Sequence, residues 1–165
     1  MAKKMGVAFL FVWLSAALAG CGMFAAGGQE IEEKPKLEAG VNEPPIPTIT
    51  IGNEPFQPVL GAYSWEIENS DGTKTREEVD IAPPHEQAKH MDSIAVAGED
   101  ELEIDFGSVN PPKPMDFHIW EGGKRRSVDG DMLLTDYKGT GSVIVELYGE
   151  WHEGHASYVF VLEVR

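Results

Sequence analysis

The sequence predicts an all-β body built as an antiparallel sandwich of two sheets. Three observations carry this. Between residues 47 and 165, apolar and polar side chains alternate with period two in several short runs, the signature of strands that bury one face. Clusters of Gly, Pro, Asn and Asp separate the runs, as turns between strands require. No amphipathic segment of helical length lies between them, which disfavours a parallel sheet joined by crossover helices. Many short strands in one domain-sized stretch point to a sandwich of immunoglobulin-like architecture. The disulfide of antibody domains is missing, because Cys21 is the only cysteine.

In chain order, Tyr63, Trp65 and Ile67 alternate with Ser64, Glu66 and Glu68, and Asn69-Ser70-Asp71-Gly72 ends that run with a turn. Val79 and Ile81 flank Asp80 as a second strand, and residues 84–91 (PHEQAKHM) are the one helical candidate, opened by proline. Ile94 and Val96 flank Ala95, with Ala97-Gly98 turning the chain. The cleanest strand is 101–106, where Leu102, Ile104 and Phe106 alternate with Glu101, Glu103 and Asp105. After Pro111-Pro112, Met115, Phe117 and Ile119 alternate with Asp116, His118 and Trp120 up to Glu121-Gly122-Gly123. Beyond Asp129-Gly130, Val143, Val145 and Leu147 alternate with Ile144, Glu146 and Tyr148 towards Trp151. A turn at Glu153-Gly154 leads into Tyr158, Phe160, Leu162 and Val164. The pattern predicts seven or eight strands.

The first 46 residues read differently. Lys3 and Lys4 precede the apolar run 5–18 and the small residues Ala19 and Gly20, the three-part plan of a secretory signal. The run is shorter than the roughly 20 residues that a membrane span needs. The charge-free stretch 5–28 would just reach across if retained, and Lys3 and Lys4 would still leave the rest outside. Residues 22–46 mix Gly27-Gly28, charges and Pro44-Pro45 with few large apolar side chains. Such a segment has little to offset its ordering entropy and reads as a tether, reaching about 25–30 Å on average. The expected plan is a signal at 1–20, a lipidated start and flexible tether at 21–46, and a β-sandwich domain at 47–165.

Leu18-Ala19-Gly20-Cys21 resembles the signal of bacterial lipoproteins, an aliphatic residue and two small ones before a cysteine. The resemblance implies that Cys21 becomes the mature N-terminus with a thioether-linked diacylglycerol, which holds a protein on the outer face of the cell membrane. Two acyl chains anchor firmly where one does not. A wider likeness covers residues 60–164: Gly61-x-Tyr63-Ser64-Trp65, Ile94-x-Val96, Leu102-x-Ile104-x-Phe106, and Trp151-x-x-Gly154-x-Ala156-x-Tyr158-x-Phe160-x-Leu162-Glu163-Val164. Together these look like small lipoproteins of Bacillus and Paenibacillus type. The likeness implies fold and address, and it transfers no active site.

Charge narrows the partners. The formal net charge is −15, and losing Lys3 and Lys4 with the signal makes the remainder more acidic. Nucleic acid is excluded as a partner, since its binding rests on Lys and Arg neutralising phosphates. The same charge is repelled by anionic headgroups and suits basic proteins or cations, or serves solubility alone.

Among candidate chemical groups, His152-Glu153-Gly154-His155 invites a metal reading, but its histidines are three apart, a glycine intervenes and a hairpin turn is expected there. The zinc-protease pattern needs two histidines four apart on a helix. His85 and His90 lie five apart, pointing about 140° away from each other on a helix. The acidic run 99–105 and Asp129-Gly130-Asp131 do not form a calcium loop. No G-x-S-x-G elbow or phosphate-cradling loop occurs. No catalytic residue and no cofactor is assigned. The candidate binding surface is His118 with Trp120, and the hairpin residues His152 and His155. The expected function is a non-enzymatic binding or accessory module that contacts an envelope protein or cell-wall component. The alternative is a metal- or carboxylate-dependent envelope hydrolase, or a cation-binding protein; a small-ligand carrier has little room for a cleft between lobes.

Overall fold

The computed structural model describes residues 41–98, 100–129 and 140–165. Cys21, the signal and the tether up to residue 40 lie outside the described residues, as do Glu99 and 130–139. The chain forms β1 (Thr48–Ile51), β2 (Glu54–Phe56), β3 (Val59–Glu68) and β4 (Lys74–Val79), then α1 (Pro84–Gln87) and a 3-10 turn (Ala88–His90). There follow β5 (Ser93–Val96), β6 (Leu102–Asp105), β7 (Met115–Glu121), β8 (Lys124–Val128), β9 (Gly141–Glu150) and β10 (Gly154–Val164).

These make an all-β sandwich of two unequal sheets. The small sheet has the order β2-β1-β6; the large one runs β4-β3-β10-β9-β7-β8, with β5 joining β10. Neighbours are antiparallel apart from β5, which runs parallel to β10 from Val161↔Ser93 to Val164↔Val96. β10 takes β9 along one edge, and divides its other edge between β3 in its first half and β5 in its second.

β1, β2 and β8 exceed the seven or eight strands expected. β8 reads KRRSV and is almost wholly exposed, because it edges the sheet and has no buried face to write alternation into the sequence. A two-residue turn with both Gly122 and Gly123 at positive φ aligns it on β7, as tight hairpins demand. The expected strand around Asp80 ends at Val79, and Ile81 is left exposed at 36%.

The core fills the space between the sheets. Ile49 and Ile51 of β1 join one buried cluster with Trp65, Ile119, Val145, Leu147, Tyr158 and Phe160 of the large sheet. Aromatic rings bridge the layers: Phe56 meets Phe160 with centroids 5.4 Å apart, and Phe106 meets Trp151 edge-on at 5.5 Å. Each such side chain contributes about 1.5–3 kcal/mol by burial. Three of them also have a polar tip that must be satisfied. Trp65 Nε1 donates to the Val41 carbonyl at 3.3 Å, Tyr158 Oη to the Pro45 carbonyl at 2.6 Å, and Trp151 Nε1 to the Asn110 carbonyl at 3.0 Å.

Two of those carbonyls correct the sequence reading. Residues 41–46, assigned to the tether, lie on the folded body: Pro44 is buried, and Val41 packs against the core. The segment is held there by hydrogen bonds from two core aromatics and by the packing of Val41.

Candidate functional site

Alternation sends every second residue of the large sheet outward, away from the small sheet. On β7, β9 and β10 that outer face is not a plain solvated surface. Trp120 lies opposite Ile144, His118 opposite Glu146, and Asp116 opposite Tyr148. Across the next ladder Tyr148 faces Ser157, and Glu150 faces His155. His118, Trp120 and His155 therefore share one face, whereas His152 sits exposed in the β9–β10 connection and is not part of it.

The segment 80–92, which links β4 to β5, lies over this face. Its α1 turn begins at Pro84, which is buried, and the His85 ring rests on Trp120 with centroids 5.8 Å apart. Gln87 Nε2 donates to the Ala82 carbonyl at 2.7 Å and holds the segment in shape. Between it and the sheet is a cavity of about 440 Å³, lined by Ala62, residues 80–84, Gln87, Glu146 and Ser157. The room for a small molecule absent between lobes is present between this strap and the sheet.

Glu146 is the residue that sequence reasoning passed over. Its side chain is only 11% exposed, on a strand where its neighbours Val145 and Leu147 are fully buried. Trp120 Nε1 donates to its Oε2 at 2.9 Å, and Arg125 Nη1 approaches the same oxygen at 4.0 Å. A carboxylate inside the apolar run 143–147 was the signal available in the sequence.

His118 is 5% exposed, and its Nδ1 has no hydrogen-bond partner among the described residues. Burial, with Arg125 nearby, holds its pKa below the ordinary histidine value, against the opposing pull of Glu146 and Asp116. At the other end of the face the Tyr148 hydroxyl donates to Glu150 Oε1 at 2.9 Å. Burial and that carboxylate push the Tyr148 pKa up to about 12. His155 stacks beside it, with ring centroids 5.7 Å apart.

No protein-family model, curated protein or solved structure matches the chain. The site therefore stands on its own geometry. Among the described residues no three His, Cys, Asp or Glu side chains converge in a way that would hold a metal ion. Among them, too, no helix is long and apolar enough to cross a membrane.

What the face can do chemically follows from its groups. It offers aromatic surface at Trp120 and Tyr148, imidazoles at His118 and His155, and a nearly buried carboxylate at Glu146. Ser157 Oγ is occupied as a donor to the Ala62 carbonyl at 3.2 Å, so it is not set up as a nucleophile.

Proposed function

We propose that the protein is a lipid-anchored module of the outer face of the cell membrane, acting by binding an envelope component and not by catalysis. Cys21 is its anchor, the residues before Val41 set its reach, and the outer face of β7, β9 and β10 makes the contact. The observation that carries the binding part is the sheet face itself. A face used only for solubility holds charges that point to water, as Glu101, Glu103 and Asp105 do around β6. This one holds His118 and Glu146 buried, with Glu146 facing the strap and Trp120 and Tyr148 beside them. Buried polar groups of this kind cost stability unless fully paired, and a binding role accounts for their presence.

Labelled fatty acid fed to producing cells is expected to mark the wild-type protein and to leave Cys21→Ser unmarked. Chemical cross-linking on intact cells is then expected to capture a partner through wild type, and to lose it when Trp120 and Tyr148 are both changed to Ala. An unmarked wild-type protein recovered from the cytosol would overturn the anchored reading. An unchanged cross-linked band in the double variant would overturn the assignment of the face.

A further inference from the structure

We infer that the cavity between the strap and the large sheet binds a small organic ammonium ion: a primary or secondary amine on an aliphatic stem. This rests on the reading of the protein as a binding module and gives that module a ligand class. The cavity's volume of about 440 Å³ lies within the roughly 300–1,000 Å³ of small-molecule sites. Ile81, Ala82, Pro83 and Pro84 supply aliphatic walls. The charged groups of the lining are the carboxylates of Glu146 and Asp80, with no Lys, Arg or His among them, so the cavity selects against anions.

The decisive group is Glu146. A carboxylate taken this far from water needs compensating charge or several hydrogen bonds. It receives one hydrogen bond from Trp120, and an Arg125 guanidinium at 4.0 Å whose side chain is 54% exposed. An ion pair that long and that wet contributes little. An ammonium group entering from the cavity would complete the compensation, and the aliphatic walls would cover its stem.

The lining also discriminates among cations. A metal ion such as calcium needs six to eight converging oxygens. Here the lining offers two carboxylates, Glu146 and Asp80, and among the described residues no three His, Cys, Asp or Glu side chains converge to hold a metal ion. Quaternary ammonium groups are recognised by aromatic cages, and none of the lining residues is aromatic. A cation with N–H donors and a short aliphatic stem remains.

The probe is 1,5-diaminopentane, titrated into the full chain in a non-ionic detergent and followed by calorimetry and by the indole N–H resonance of Trp120. That resonance reports on Glu146 directly, because the indole donates to it. Saturable binding with a shifted Trp120 signal is expected, at least tenfold weaker for choline and undetectable for 1,5-pentanediol. Glu146→Gln is expected to weaken binding at least tenfold. Asp80→Lys changes an exposed position and leaves folding intact, so it keeps the test decisive if Glu146→Gln unfolds; it is expected to abolish binding. No saturation, equal binding of diamine and choline, or unchanged affinity in Asp80→Lys would overturn the inference. Any of those results leaves the lipid label and the cross-linked partner as they were, so the two proposals fail separately.

Discussion

Gly154 shows how one hydrogen atom can hold a hairpin together. A Cβ there would run into the backbone carbonyl of Ser64, which has no freedom to retreat because β3 is paired on both sides. Gly154→Ala is expected to cost several kcal/mol, at or beyond the top of the roughly 0.5–3 kcal/mol range of single substitutions; urea unfolding would measure it. The sequence marked Gly154 as a turn residue, while the close approach that makes it indispensable depends on a strand ninety residues earlier in the chain and was not legible. His118 was legible as a candidate, and its burial was not, since alternation put it on the less apolar face of its strand. Its folded-state pKa lies below the ordinary value, so the unfolded chain binds more protons at mildly acid pH, and stability falls as the pH drops through about 6.5. Arg125, Glu146 and Asp116 are the charged groups that act on it. The urea midpoint is expected to decline between pH 7 and pH 5, and His118→Gln is expected to flatten that decline.

Elements that bury a face were readable, and those held by their neighbours were not. β6 is the clearest success: its alternation is matched residue for residue by half-buried Leu102 and Ile104 between exposed carboxylates. β8 and β4 are the outer strands of the large sheet, and their Lys, Arg and Glu side chains discourage another chain from adding to the edge. That service hides them from a pattern search. Residues 41–46 were misjudged for a related reason, since what fixes them is a pair of aromatic tips on β3 and β10. A chain starting at residue 47 loses the acceptors for Trp65 Nε1 and Tyr158 Oη. Each unsatisfied donor costs about 1–3 kcal/mol, so thermal denaturation is expected to show this chain clearly less stable than one starting at residue 41. Tyr158→Phe in the longer chain is expected to speed amide exchange at Ile46 while exchange across β9 stays slow.

At the scale of the molecule, the sandwich followed from alternation, turn residues and the absence of long helices, because these are local consequences of burying one sheet face. The parallel ladder between β5 and β10 could not be anticipated. It exists because the chain crosses the outer face by the strap and lies along the half of the β10 edge that β3 leaves free, and no periodicity encodes a crossing. The strap is also what creates the cavity: its helical turn, opened by Pro84, was visible in the sequence, and its placement over the sheet face was not.

β10 follows in the chain every strand it joins, and it lies between β3, β5 and β9 at the middle of the large sheet. During synthesis, therefore, hairpins can form early but have nothing to dock against until residues 154–164 emerge. Assembly of the large sheet rests on pairings between distant parts of the chain, which form slowly. Machinery that handles extended polypeptide would meet the earlier strands before β10 is there to join them.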